Sequence, residues 1–151
     1  MSDTATTPRA TVRAARPEDL ASIEALLTSS SLPTIGVREA LPRFVVADSE
    51  GEIVGVAGLE PCGGSALLRS VAVKPEWRSA GVGRALVTRV IGDAEASGID
   101  ALYLLTTTAE RYFPSFGFQE ITRDAVPESV RATAEFRDAC PASATVMRRQ
   151  A

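Results

Sequence analysis

The sequence predicts an α/β fold in which helices flank a mixed, mostly antiparallel central sheet. Two β-rich runs, residues 44–47 and 53–59, are separated by a polar, glycine-containing turn at 48–52, which is typical of an antiparallel hairpin. A strand from Leu67, a helix from Val82 and a strand at 99–106 follow in β-α-β order, which requires a parallel pair. The 151 residues suit a single domain with one core.

The first half of the chain contains signals for a strand, two helices and the hairpin. Residues 9–15 form a short β-rich run, and Pro17 with two acids then opens a helix whose apolar residues recur at helical spacing. Residues 32–36 form a loop, which either borders a substrate cleft or is a plain connector. We expect a short helix at 37–41 and, after the hairpin, a loop at 61–65.

The second half continues the alternation of helices and strands. Apolar residues at 82, 86, 87, 90 and 91 line one face of a helix that Gly98 ends. A short helix at 107–113, closed near Pro114, precedes a strand at 116–121. We predict a helix over residues 125–139 and a last strand at 144–147. The sequence contains no internal repeat, so a single unit is expected.

Charge and composition argue against nucleic acid and membrane as partners. The formal net charge is −3, and the adjacent basic residues Arg148 and Arg149 read as a solvated tail. No apolar run reaches the length of a membrane span, and residues 1–8 are polar, so we expect a disordered N-terminus on a soluble, cytoplasmic protein.

The cysteine and histidine content limits the available chemistry. Cys62 and Cys140 lie far apart, which argues against a disulfide framework and a zinc site and favours two reduced thiols. The chain has no histidine, so histidine-activated nucleophiles and histidine-containing metal sites are excluded. Proton transfer must use a carboxylate, a phenol, a lysine or water, and we expect no metal.

A glycine-containing segment follows the apolar strand at 67–73. It begins at Arg78 and places Gly81 and Gly83 at a helix start, where unpaired backbone N–H groups and the helix dipole favour an anion such as phosphate. The sequence lacks both Gly-Lys-Ser/Thr after the loop and a Gly-x-Gly-x-x-Gly run, so Walker and Rossmann sites are poor matches. The alternative is a purely structural strand-to-helix turn.

This segment resembles the pyrophosphate loop of the GNAT family of acetyl-CoA-dependent N-acetyltransferases, which reads Arg/Gln-x-x-Gly-x-Gly/Ala. Residues 78–83 fit all four fixed positions, the element order matches across nearly the whole chain, and Gly117 and Phe118 resemble the Gly-Phe that opens the family's sixth strand. The resemblance implies one GNAT domain at 9–151, acetyl-CoA as co-substrate, and a family in which homodimers are common. The implied acetyl-CoA contacts are Val71, Ala72, Val73, Arg78, Ser79, Ala80, Gly81, Val82, Gly83 and Arg84.

Several short strings resemble the arsenic-resistance branch of this family: residues 58–60, 67–73, 103–108, 131–133 and 140–144. That branch is linked to acetylation of the α-amine of amino-acid-like arsenicals such as arsinothricin, an analogue of glutamate and of phosphinothricin. Two alternatives stay open. One is a general, glutamate-like amino-acid N-acetyltransferase, and the other is a non-catalytic acyl-CoA-binding module.

Acetyl transfer requires a neutral amine, a polarised thioester carbonyl and protonation of the leaving thiolate. Glu60, at a strand end, is the candidate base, although a solvated carboxylate is equally consistent with that position. In the family the acid is the tyrosine of a Phe-Tyr-x-x-x-Gly-Phe string, but here Phe113 occupies that position and Tyr112 precedes it. Four alternatives therefore stay open. Tyr112 protonates the thiolate from a different angle, water takes that role, the thiolate leaves without a proton donor, or Tyr112 only packs against its neighbours.

Arg69 is the candidate for binding an acidic group of the substrate. A guanidinium inside an apolar strand is costly unless it meets an anion, either a substrate carboxylate or an internal Glu or Asp. Additional substrate hydrogen bonds are expected from Ser70, Thr106, Thr107, Thr108 and Arg131, and the three threonines are also good strand-end residues.

Overall fold

The computed structural model describes residues 10–78, 81–106, 111–133, 136 and 144–150. The strands are β1 (Thr11–Ala14), β2 (Phe44–Ser49), β3 (Glu52–Cys62), β4 (Ser65–Val73), β5 (Ala101–Thr106), β6 (Gln119–Ile121) and β7 (Thr145–Gln150). The α-helices are α1 (Leu20–Ser29), α2 (Val37–Ala40), α3 (Val82–Ala96) and α4 (Glu128–Arg131). The N-terminal segment 1–8, for which we predict disorder, lies outside the described residues.

The described strands form one sheet in the order β1-β2-β3-β4-β5-β7-β6. The β4–β5 pair is parallel, and every other neighbouring pair is antiparallel. This confirms both the hairpin and the β-α-β unit, and with them the mixed, mostly antiparallel sheet. The parallel pair arises because α3 carries the chain back across one face of the sheet before β5 begins.

Helices cover both faces of the sheet, which agrees with the alternation of side chains along a strand. On β2, Val45 packs in the cluster that contains α3, whereas Val46 packs in the cluster that contains α1 and α2. On β4 the same alternation places Leu68 against the α3 side and Leu67 with Val130 of α4. The face opposite α3 therefore holds α1, α2 and α4, and the start of β4 lies between both layers.

Two predicted elements have the wrong bounds. The loop at 61–65 is instead a tight turn at Gly63 and Gly64, because β3 runs to Cys62 and pairs it with Ser65. Of the predicted helix at 125–139, residues 134–135 and 137–139 lie outside the described part, and residues 125–127 are not α-helical. The four-residue α4 lies within the predicted range, and the Thr133 hydroxyl after it donates to the Val130 carbonyl and accepts from the Phe136 N–H.

Two further expectations changed. Arg148 and Arg149 are not a solvated tail, because both belong to β7 and Arg149 donates to the Phe116 carbonyl at 2.8 Å. Of the predicted helix at 107–113, the segment 107–110 lies outside the described residues, and residues 111–112 form a turn before Pro114. Pro114 lies within a short 3₁₀ helix, Phe113–Phe116, where a proline in the first turn leaves no donor unpaired. In the described part of the chain, no helix is both long and apolar enough to cross a bilayer.

A buried ion pair fixes the start of α1 to the first strand. Both guanidinium Nη atoms of Arg13 donate to the carboxylate of Asp19, at 2.8 and 3.1 Å, and the Arg16 N–H donates to it at 2.8 Å. Asp19 is only 7% exposed. The hydrogen bonds from Arg13 hold the pKa of Asp19 below its usual value.

We expect Asp19→Ala to lower the free energy of unfolding by about 2 kcal/mol, because the charge-assisted hydrogen bonds to Asp19 are lost while Arg13 keeps its ion pair with Asp48 at 3.1 Å. Because the folded pKa is lowered, the unfolded chain takes up the proton first, so this stabilisation is present at neutral pH and disappears as the pH falls below about 4. Urea titrations at pH 7 and at acid pH measure both effects. Asp93→Ala, which removes an exposed pair with Arg89, is the control and should cost less than about 1 kcal/mol. Equal losses in the two variants would contradict the prediction.

Candidate active site

A β-bulge interrupts β4 near its middle. Val56 of β3 pairs with Ala72, whereas Gly58 pairs with Arg69, so β4 carries one more residue than β3 over this stretch. Ser70 lies in the bulge with φ of +60°, a left-handed conformation that is uncommon for a residue other than glycine. The bulge therefore redirects the second half of β4 relative to its neighbours.

An opening between β4 and β5 begins just before the bulge. The parallel register pairs Ser65, Ala66 and Leu67 with residues 101–103, and no further pair forms between the described residues of the two strands. Both strands nevertheless continue, to Val73 and Thr106. The β4 backbone at Ala72 and Val73 is thus paired by β3 on one side, with Val71 in the bulge, and this stretch borders the opening on the other side, where its polar groups need another partner.

The first turn of α3 lies at the far end of this opening. Gly81 is the N-cap residue with φ of +81°, and no side chain of the described residues caps the helix. Among the described residues, the first intrahelical bond runs from the Ala85 N–H to the Gly81 carbonyl, and no described residue accepts from the N–H groups of Val82, Gly83 and Arg84, which point toward an anion at this helix start. The Arg78 guanidinium donates to the Val73 carbonyl at 3.1 Å, which ties the loop to the end of β4. Ser79 and Ala80 lie outside the described residues.

Arg69 and Glu60 form an ion pair on the sheet face that carries α1 and α2. The Nη1 atom of Arg69 donates to Oε1 of Glu60 at 3.0 Å. The Arg69 side chain is 1% exposed, whereas the Glu60 side chain is 26% exposed. The same guanidinium donates to the carbonyl of Ile35 and, at 3.0 Å, to Oγ of Ser70. These contacts match the interpretation of Arg69 as the partner of an internal acid, and a direct substrate role for Arg69 stays a prediction.

A cavity of about 610 Å³ lies beside this ion pair. Its lining combines two acids, one exposed arginine and apolar residues: Ile35, Gly36, Glu39, Ala40, Pro42, Arg43, Glu60 and Pro61. The loop at 32–36 therefore borders a cavity, as the first of its two interpretations predicts. Glu39 and Arg43 were not among the predicted site residues, because only the packing of α2 and of the following 3₁₀ helix, Leu41–Arg43, against β3 brings them there.

Tyr112 and Phe113 point in different directions. Phe113 is buried in the core, where its ring packs against Phe118 at 5.8 Å between centroids. Tyr112 is 38% exposed, and its hydroxyl lies over the first turn of α3, 3.2 Å from where a side-chain carbon at Gly83 would be. Partial burial raises the pKa of Tyr112, while the nearby charge of Arg84 opposes that shift, so the phenol keeps its proton at neutral pH.

The remaining predicted residues are dispersed. Thr106 ends β5 opposite Thr145, and Thr107 and Thr108 lie outside the described residues. Arg131 forms an exposed ion pair with Glu128 at 3.1 Å. Cys62 is a buried free thiol whose pKa is raised to about 11, first by burial and then by the charge of Glu60, so it is not a nucleophile at neutral pH.

A model of the acetyltransferase (GNAT) domain matches residues 41–120, which include the hairpin, the bulge, the loop before α3 and the Gly-Phe at 117–118. The chain belongs to the GNAT acetyltransferase family. This membership confirms the fold expected from the resemblance, and it supports the expectation of an acetyl-CoA-dependent N-acetyltransferase.

Relatives of this GNAT domain include larger amino-acid acetyltransferases. One from Pseudomonas syringae pv. syringae is 34% identical over 131 residues, which cover 81% of this chain and 30% of the relative. One from Escherichia coli K12 is 30% identical over 91 residues, which cover 59% of this chain and 20% of the relative. The chain thus spans less than a third of the length of these relatives.

Solved structures resemble the GNAT domain over nearly its whole length. N-acetylglutamate synthase from Neisseria gonorrhoeae, complexed with coenzyme A and L-arginine, matches with a TM-score of 0.79 at 24% identity, covering 95% of this chain and 33% of that one. Rv2747 from Mycobacterium tuberculosis, a complex that contains CoA, matches with a TM-score of 0.80 at 25% identity, covering 93% of this chain and 99% of that one.

Proposed function

We propose that this GNAT domain transfers an acetyl group from acetyl-CoA to the α-amine of an amino-acid-like acceptor. The observation that carries the proposal is the placement of two features around the bulge of β4. An opening with free backbone groups leads to the first turn of α3, and a cavity that contains Glu60 lies on the adjoining face. The first feature suits a long phosphorylated donor, and the second suits a small charged acceptor.

The residues around the opening fit acetyl-CoA. The backbone at Val71, Ala72 and Val73 offers hydrogen bonds to the amide-containing pantetheine arm, and the free N–H groups at Val82, Gly83 and Arg84 suit a diphosphate. Gly81 has open space where a side chain would stand, among the described residues, so the backbone is accessible from that side. Arg78 and Arg84 are exposed and add positive charge at the same end. The predicted contacts at Ser79 and Ala80 belong to this loop.

The acceptor is proposed to be glutamate-like. Its α-amine meets the carboxylate of Glu60, and its acidic groups meet positive charge, for which Arg43 is the exposed cation of the cavity lining. Arg69 holds Glu60 and the Ile35 carbonyl in place through the hydrogen bonds that it donates to them. Arg69 would contact the acceptor directly only if a substrate carboxylate displaced one of these two partners. The relatives from Pseudomonas syringae and Escherichia coli are named amino-acid acetyltransferases, which supports an amino-acid acceptor.

The reaction needs the acceptor as a free amine. In the proposed mechanism Glu60 accepts a proton from the ammonium group, and the amine nitrogen then forms a bond to the thioester carbon while the carbon–sulfur bond breaks. A backbone N–H of β4 next to the bulge stabilises the oxyanion that develops on the carbonyl oxygen. The departing thiolate takes up a proton from solvent or from a phenol.

The finer substrate proposal concerns glutamate analogues. Phosphinothricin and arsinothricin keep an α-amine and an acidic end group, so the same contacts would serve them. The strings that resemble the arsenic-resistance branch include residues 58–60 and 67–73, which contain both members of the Glu60–Arg69 pair. A resistance role is therefore one version of the proposed activity, with glutamate itself as the alternative acceptor.

A thiol-release assay with acetyl-CoA and a panel of acceptors tests the proposal. We expect turnover with glutamate, phosphinothricin or arsinothricin and much weaker turnover with alanine and glutamine, which lack the acidic end group. Release of CoA that no amino acid accelerates would contradict the amino-acid proposal.

The second candidate is a module that binds acyl-CoA without turnover, and Phe113 at the family's tyrosine position favours it. Calorimetry that detects acetyl-CoA binding, together with no transfer to any acceptor of the panel, would establish this alternative.

A further inference from the structure

The two candidate catalytic residues lie at opposite ends of the opening between β4 and β5. Glu60 pairs with Arg69, before the bulge, whereas the Tyr112 hydroxyl lies by Gly83, close to Val73. Val73 follows Arg69 by four positions on β4, which corresponds to at most roughly 13 Å at the rise of a regular strand. A base and an acid that serve one thioester must each lie within about 3 Å of neighbouring atoms. Tyr112 is therefore misplaced as the acid partner of Glu60.

The surroundings of Tyr112 suit an anion instead. Its ring packs edge-on against Phe113 and Phe116, each at 5.2 Å between centroids, which fixes the direction of the hydroxyl. The guanidinium of Arg84 lies 4.7 Å from the centroid of Phe116 and donates to Oγ of Ser115 at 3.3 Å. A phenol donor and a cation are thus held next to the free N–H groups of α3.

We propose that the Tyr112 hydroxyl donates a hydrogen bond to the diphosphate of the acyl donor, as a binding residue rather than as the general acid. This inference rests on the proposed function, since it assumes acetyl-CoA as donor. A phenol that keeps its proton can donate to a phosphate oxygen over the whole working pH range. In this assignment the departing thiolate takes up its proton from a donor other than Tyr112, such as solvent.

Two acyl donors of different length test the proposal. S-acetylpantetheine carries the thioester and the pantetheine arm but lacks the diphosphate. Tyr112→Phe should lower kcat/KM with acetyl-CoA about tenfold or more, through KM, because one hydrogen bond to a charged group is lost. With S-acetylpantetheine the same variant should match the parent protein. Tyr103→Phe is the control. It changes the chain's other tyrosine, which is buried in the core, and kcat/KM should stay unchanged with both donors.

Calorimetry of CoA supplies a readout that does not depend on turnover. Tyr112→Phe should weaken CoA binding by the same factor as it raises KM, and its pH profile of kcat should keep any alkaline limb of the parent protein. Equal losses with both donors, or unchanged CoA affinity, would overturn the assignment of Tyr112 to the diphosphate. If the parent protein transfers no acetyl group at all, the proposed function fails, while the calorimetric comparison still decides the role of Tyr112.

Discussion

Gly81→Val should fold and should bind acetyl-CoA at least about 100-fold more weakly than the parent protein. Gly81 adopts φ of +81° at the N-cap of α3, a conformation that costs a β-branched residue about 1–2 kcal/mol. Among the described residues nothing lies within 4 Å of the added side chain, so the valine enters the space proposed for the phosphates instead of the core. Loss of two charge-assisted hydrogen bonds accounts for the factor of 100.

Gly98→Val is a matched control for this variant. Gly98 also has a positive φ, +78°, has nothing within 4 Å of an added side-chain carbon among the described residues, and follows the other end of α3. We expect a similar loss of stability in urea but no change in the calorimetric affinity for acetyl-CoA. Unchanged affinity in folded Gly81→Val, or an equal loss in Gly98→Val, would reject the assignment of the diphosphate to the first turn of α3.

Glu60→Gln should lower kcat by about 10²-fold or more while the affinity for acetyl-CoA stays constant. The amide keeps the shape of the side chain and an oxygen for Arg69, but it cannot take a proton from the acceptor, and general base catalysis is typically worth that factor. The measurement is steady-state kinetics at saturating acceptor, combined with calorimetry of acetyl-CoA.

Glu39→Gln is the control for Glu60→Gln, because Glu39 lines the same cavity on α2. We expect a change mainly in the acceptor KM there, since the charge of the cavity changes but the base remains. A kcat in Glu60→Gln close to that of the parent protein would exclude Glu60 as the base.

Local signals were sufficient to predict most of the fold. The hairpin between β2 and β3 could be predicted because its turn residues and alternating pattern are both local, and the glycines before α3 mark a helix start by themselves. The predicted loop at 61–65 leaves the register between β3 and β4 undefined, so it did not predict the Glu60–Arg69 pair. Read as a two-residue turn, Gly63 and Gly64 place Glu60 opposite Leu67, two residues from Arg69 on the same face of β4.

Other features depend on tertiary structure and were not predictable from these patterns. The left-handed conformation of Ser70 follows from the register of β4 against β3, which no short window of sequence contains. The orientation of Tyr112 depends on where the 3₁₀ helix at Phe113–Phe116 packs against α3. Counting residues back from Gly117 therefore identified Phe113 at the family's tyrosine position, but it predicted neither the burial of Phe113 nor the position of the phenol.

The central claim is that the opening between β4 and β5 and the cavity beside Glu60 serve one acetyl transfer to an amino acid. Mass spectrometry of glutamate incubated with acetyl-CoA and the protein, in parallel with Gly81→Val and Glu60→Gln, tests it most directly. We expect a product with the acetyl group on the α-nitrogen, formed by the parent protein and strongly reduced in both variants. Acetylated product that forms equally well with either variant, or no product from any amino acid of the acceptor panel, would contradict this function.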